Sequence, residues 1–275
     1  MKVDLHSHTA EHSECSKAPA VEMVRAARDR GLGGLVISDH RYHLTPEECR
    51  TLEEAVPGIR VFRGAEIGVR GAGKDAAAWE DVVIVSDSPG AHLDGVSADE
   101  VERLAEFRRE TGALVILAHP FRYHPTVVFD LGRFAPDAIE IASVQVDPKD
   151  HDRIVGLARQ HGMNVVANSD AHQTNDVGLF HLDLDAGVRT ERELAEAVRG
   201  GAFTLAADMP ALRQRIERIG PMEDLARRVL AEGGGVEDYL ARGGVHVSLF
   251  ERVAAGGSYM PNARAVGLRN LPRDP

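Results

Sequence analysis

Cysteine is nearly absent from this chain: Cys15 and Cys49 are the two present among 275 residues, too few for a disulfide framework. Long apolar runs are missing as well, so nothing reaches the length that crosses a bilayer. The opening residues, MKVDLHSH, hold no apolar stretch of the kind that forms a secretory leader. A cytoplasmic protein without a membrane partner is the expectation. Positive charge is in deficit, with Lys and Arg numbering 32 against 43 Asp and Glu, a net charge of -11. That balance argues against the broad basic footprint of a protein that coats DNA or RNA. It leaves room for a short nucleic-acid end or a small phosphorylated metabolite, because bound metal ions would supply positive charge locally. Internal repeats and low-complexity segments are absent too.

What is present is an alternation. Short apolar, β-rich runs at residues 2–5, 34–38, 60–67, 82–85, 113–118, 138–142, 164–168 and 202–206 read as strands. Helical stretches fall between many of them, near 18–30, 46–55, 98–111, 149–161 and 191–199, several stopped by glycine. Continuous apolar strands separated by helices imply parallel pairing with both faces covered. From about residue 209 the pattern changes to short helices split by glycine pairs. The expected organisation is a barrel over 1–208 and a helical extension over 209–275 packed on it.

The polar residues favour a barrel over an open sheet. His6 and His8, Asp39 and His40, Glu66, His119, Glu140, and Asp170 and His172 each fall at or just past the end of an expected strand. In a βα barrel those ends converge on one face. Residues i and i+2 of an extended segment point the same way, so His6 and His8 can face one ion. Asp4 is a candidate partner for a ligand ring. A lone HxH reads as readily as two surface histidines, and Ser-Asp pairs as helix caps. Glu66, in Gly64-Ala65-Glu66-Ile67, is costly to bury unless it is paired or bound to metal.

In order and spacing, DLHSHT, the ISDH ending at His40, the GAE ending at Glu66, LAHP and NSDAH resemble the polymerase and histidinol phosphatase (PHP) domains. The resemblance covers about residues 1–206. It implies an α/β fold, a distorted seven-stranded TIM-like (β/α) barrel, with two or three divalent ions (Zn, Mn or Fe). Carried over, His6, His8, Glu66 and Asp170 hold one ion, Glu66 bridges to a second completed by His119, and His40 and His172 belong to a third. Mixed imidazole and carboxylate donors suit such metals. Two positions depart from the family pattern. Asp81 stands where a histidine is usual at the second ion, with His92 as a lesser substitute. Cys15 stands where a histidine or acid is usual at the third; it is either a thiolate ligand, with His12 or Glu14 as substitutes, or a small residue against the barrel wall.

Arg122 and Arg41 both follow strand ends, and a guanidinium grips phosphate oxygens through paired hydrogen bonds. The expected activity is metal-dependent hydrolysis of a phosphate ester, monoester or diester, by a metal-bound hydroxide. The expected substrate is a small phosphorylated metabolite, a nucleotide or an oligonucleotide end, with no extended nucleic-acid surface. Two alternatives stand beside it. An amidohydrolase-type C–N hydrolase also begins with HxH but often bridges its metals with a carboxylated lysine, which no comparable strand end here offers. A non-catalytic metal-binding PHP module is the other.

Overall fold

The computed structural model describes residues 1–71 and 77–269. Its strands are β1 (Lys2–Asp4), β2 (Gly34–Ile37), β3 (Arg60–Arg70), β4 (Trp79–Val85), β5 (Val96–Ser97), β6 (Leu114–Leu117), β7 (Ala138–Ala142), β8 (Asn164–Ala167), β9 (Phe180–Leu184) and β10 (Phe203–Ala207). The helices are α1 (Ala20–Asp29), α2 (Pro46–Ala55), α3 (Glu102–Thr111), α4 (His151–His161), α5 (Glu191–Gly200), α6 (Met209–Ala231), α7 (Val236–Ala241) and α8 (Val247–Ala254).

Local chemistry sets the helix ends. At the start of α2, the Thr45 hydroxyl accepts from the Glu48 amide while the Glu48 carboxylate accepts from the Thr45 amide, with Pro46 in the first turn. Helices α4 and α5 stop where Gly162 (φ 65°) and Gly201 (φ 68°) turn left-handed, a conformation costly for any residue with a Cβ. The strands are held by burial: β2, β6 and β8 are buried at every position. Truncating Ile116 to Ala in β6 would cost about 2–5 kcal/mol.

One path of hydrogen-bonded strands runs β10-β9-β1-β2-β3-β4-β6-β7-β8, and β5 pairs with β3 beside it. The sheet curls until its ends nearly meet. At the mouth, an isolated parallel bridge joins Ser7, after β1, to Ala171, after β8, and the His8 amide donates to the Ala171 carbonyl at 2.9 Å. The ten strands among the described residues exceed the seven expected. The surplus is β9 and β10, added antiparallel at the free edge of β1, and the short β5.

The expected all-parallel pairing also needs correction. β4 runs antiparallel to both β3 and β6. The segment 71–78 between β3 and β4 is too short for a crossover, so β4 returns beside β3. This brings the beginning of β4, with Asp81 opposite Gly68, to the same end of the barrel as Glu66.

Beyond β10, helices α6 to α8 gather around a small core of Ile219, Ala226, Val229, Tyr239, Leu249, Phe250 and Val253. They are tied to the barrel mouth by Arg215 on Asp176 (2.9 Å), Arg252 on the Gln145 carbonyl (2.8 Å) and Asn262 on the Ile141 carbonyl (2.8 Å). Residues 270–275 of the expected extension lie outside the described residues. No described helix is long and apolar enough to cross a membrane.

Candidate metal centre

Strand ends deliver the polar residues to one place. His6 and His8 follow β1, His40 follows β2, Glu66 lies within β3, His119 follows β6, and Asp170 and His172 follow β8. Glu66 is the hub. One of its oxygens lies 3.0 Å from His119 Nε2 and 3.5 Å from His6 Nε2; the other lies 3.3 Å from His8 Nε2 and 3.1 Å from His40 Nδ1. Asp170 is a second hub, with Oδ1 at 3.2 Å from His8 Nε2 and 3.5 Å from His6 Nε2. His119 lies 3.8 Å from both Asp170 and Asp81.

Four overlapping groups are compact enough to hold an ion: His6, His8 and Glu66; His6, His119 and Asp170; Glu66, Asp81 and His119; and His8, His40 and His172. All seven motif residues are thus brought together, and Asp81 with them. Cys15 is exposed, and its thiol is influenced by the imidazoles of His172 and His40. Burial pushes that thiol up, but the two imidazoles outweigh it and bring it down to about 6. The structure does not bring the substitutes into the centre. His92 is exposed with Nδ1 on the Pro89 carbonyl, and His12 stacks on Tyr42 at 3.5 Å. Glu14 is exposed.

The site fits cations on its own chemistry. Both Asp170 oxygens are buried without a hydrogen-bond partner, and the Nε2 atoms of His6 and His8 approach to 3.1 Å. Such convergence of lone pairs and anionic oxygens is unfavourable without positive charge between them. The protein meets part of that need with protons. Burial opposes the charge of His6, but Asp170, Glu140 and Glu66 hold its pKa well above the ordinary value. His172 is raised to about 9, with Cys15 and Asp170 overcoming burial. His8 is pushed down to about 4, chiefly by burial. Despite burial, Glu66 lies well below the usual carboxylate range because of His6, His119 and His8. Asp81 moves the other way, raised by burial and by its neighbour Glu66.

Support for the ligands comes from residues that the sequence reading assigned elsewhere or left without a role. Asp4 is not the partner of a ligand ring. Its carboxylate accepts from the Ser169 amide and hydroxyl, the Gly178 amide and the His6 amide, so it fixes backbone. The ring partner is Glu140, fully buried in β7. It accepts from His6 Nδ1 at 2.7 Å, from the His119 amide at 2.9 Å and from Asn168 Nδ2 at 2.9 Å. A carboxylate there orients the ring and leaves Nε2 free for metal. The signal was present, an acid in the apolar strand AIEIA, the same argument that singled out Glu66. Asp39 accepts from the Thr9 amide, the Thr9 hydroxyl and the Ser13 hydroxyl, all at 2.6 Å, and so clamps the loop after His8.

The four non-glycine residues of positive φ among those described, Arg41, His119, Phe121 and Asp170, all lie in loops that follow strands at this mouth. Such conformations cost about 1–3 kcal/mol each and persist where surrounding bonds overdetermine them. A cavity of 370 Å³ opens beside Glu66, lined by His40, Arg41, Arg70, Trp79, Asp81 and Asp94. Arg41 points to Asp94, 3.0 Å away, so its guanidinium is already engaged. Arg122 is exposed and lies over the Tyr123 ring at 4.9 Å, and Asp170, Glu66 and Asp81 favour its charge.

The fold is a nearly closed α/β barrel whose mouth gathers imidazoles and carboxylates compact enough to hold metal ions. Comparisons with known proteins narrow it. A family model described as PHP-associated matches residues 148–203. A probable phosphatase of Caldicellulosiruptor saccharolyticus is 27% identical over 200 residues, 64% of this chain and 82% of the relative. Among solved structures, PsfC from Pseudomonas syringae aligns with a TM-score of 0.51 at 20% identity, over 70% of this chain and 87% of that one. An amidohydrolase from Chromobacterium violaceum gives 0.50 at 17% identity, over 72% and 97%. These two share the fold. Together the family-model match and the probable phosphatase support a PHP domain family.

Proposed function

We propose that the protein hydrolyses phosphate esters with two or three divalent ions, zinc, manganese or iron, held at the barrel mouth. The carrying observation is the position of Glu66, whose two oxygens lie between the His6–His119 pair and the His8–His40 pair. That arrangement suits neighbouring ions sharing one carboxylate. His6, His8, Glu66 and Asp170 would hold the first ion, Glu66, His119 and Asp81 the second, and His40 and His172 the third, with Cys15 at its edge. Ions so placed supply a lowered pKa for water and neutralise charge on phosphoryl oxygens.

The rest of the work falls to the chain. Glu140 keeps the His6 ring oriented, and Asp39 keeps the loop carrying Thr9 and Ser13 in place. Arg122, whose charge Asp170 and Glu66 favour, would steady the nonbridging oxygens of the substrate. Arg41, tied to Asp94, forms the cavity wall and fixes its shape. The bridging group offered here is the carboxylate of Glu66, whereas the amidohydrolase alternative often uses a carboxylated lysine. The likeness to a probable phosphatase supports the phosphoester reading. The net charge of -11 favours a small phosphorylated substrate, a nucleotide or an oligonucleotide end over a nucleic-acid tract.

The test is elemental analysis of the purified protein, followed by assays on a monoester, a diester and a nucleotide with metal restored. Hydrolysis that disappears in His8→Ala is expected. Wild-type turnover in that variant, or no turnover with full metal occupancy, would overturn the reading.

A further inference from the structure

A second cavity, of 340 Å³, lies beside His172 and is lined by Gln173, Asp176, Arg215, Arg218 and His246 among others. It is formed between the loop after β8 and the C-terminal helices, apart from the cavity at Glu66. Its charges do not balance. Arg215 Nη1 donates to Asp176 Oδ1 at 2.9 Å, and Arg218 Nη2 approaches the same oxygen at 3.4 Å. The other oxygen of Asp176 accepts from Gln173 Nε2 at 2.9 Å. One carboxylate therefore serves two guanidinium groups.

Arg215 is only 7% exposed, and its Nε is buried without a hydrogen-bond partner. Burial works against its charge; Asp176 relieves this in part, while Arg218 and Arg252 add to the strain. A buried guanidinium that must share its carboxylate is costly unless another anion completes the set. His172 links this cavity to the metal centre, since it lines the one and belongs to the other.

We infer that the cavity is a subsite for a second anionic group of the substrate, set apart from the phosphoryl group that is cleaved. This rests on the phosphoester reading above. The recognised chemistry is an oxyanion gripped by Arg215 and Arg218, either a carboxylate or a second phosphate. The substrate would then bridge from the metal centre to α6.

The probes are alkylphosphonates of three to six carbons ending in a methyl group, a carboxylate or a second phosphonate, titrated calorimetrically into the metal-loaded full chain. At one chain length, an anion-ended probe should bind about tenfold or more tightly than its methyl-ended counterpart. Arg218→Gln should remove that margin and leave methyl-ended binding unchanged. The side chain of Arg218 is 40% exposed, so its replacement is the safer one for folding. The carboxylate and phosphonate arms decide which anion is read. No margin at any length, or a margin that survives both Arg218→Gln and Arg215→Gln, would overturn the inference. Hydrolysis of the matching phosphate esters is followed in parallel. Turnover without a margin defeats the subsite alone, and a margin without turnover defeats the phosphoesterase reading alone.

Discussion

His6, His8, Glu66, His119 and Asp170 are at most 2% exposed, whereas the side chains of His40 and His172 are exposed by 41% and 23%. The inner group is also held from behind. Glu140 orients His6 and binds the His119 amide, and Ser13 touches His8 Nδ1 at 3.4 Å. The outer group lies toward the solvent side. His172 turns Nδ1 to the carbonyl of Asp170, two residues before it, and an exposed thiol is its neighbour. The inner half is thus specified by the barrel itself. The outer half depends on loop conformation and on what the solvent side supplies, and it is where the family pattern bends.

Substitution should separate the halves. The largest effect is expected from Glu66→Gln or Asp170→Asn, which should reduce turnover to background and remove most bound metal by elemental analysis. Retained stoichiometry in either variant would break the distinction. Glu140→Gln should lower activity or metal affinity by about 10–100-fold, because the His6 ring loses its orienting carboxylate while the candidate ligands remain. Cys15→Ser and His172→Ala should act less, by about tenfold or below, and reduce the ion count by no more than one. If they match the inner variants in effect, the outer half is as essential as the inner.

Metal removal tests the same contrast through stability. Ions that bind only the folded chain stabilise it by about 4 kcal/mol at a thousandfold excess over the dissociation constant. Chelation should therefore lower the melting temperature of the wild type, less so that of Asp170→Asn.

The smallest effect concerns a residue outside both halves. His181, buried in β9 with Nδ1 donating to the Gly178 carbonyl at 3.1 Å, is held below its ordinary pKa of 6.5 mainly by burial. It is neutral in the fold and takes up a proton more readily when unfolded. Its contribution is intact above pH 6.5 and is lost as pH falls toward the folded value, by up to about 1.4 kcal/mol per pH unit. His181→Gln should flatten that part of a urea-midpoint profile against pH. An unchanged profile would put the acid sensitivity elsewhere.

Much of the inner half was legible in the sequence, because each ligand ends or interrupts an apolar run and a barrel gathers such ends. Glu66 and His119 were found this way. Glu140 carried the same signal, but no motif attached a role to it. Asp4 was misplaced because proximity in sequence suggested the His6 ring, while the fold turned the carboxylate to the amides of Ser169 and Gly178. Strand β9, FHLDL, mixes His and Asp into its apolar run and so gives a weak strand signal, and the reversal of β4 follows from its short connection to β3. The Arg215–Asp176 pair was illegible, since only the packing of α6 on the mouth brings those residues together.

The bridge between Ser7 and Ala171 has a consequence for how the protein is made. The first candidate ligands emerge at residues 6 and 8, yet Asp170 and His172 follow only after the eighth strand has been synthesised. Joining such distant segments carries a loop-closure cost that is met only when the intervening strands have assembled. A nascent chain cut short before β8 lacks two of the ligands and the seam that aligns them. On the proposed site, tight metal capture would be a late event in biosynthesis, and a loaded ion would certify that the ring has closed.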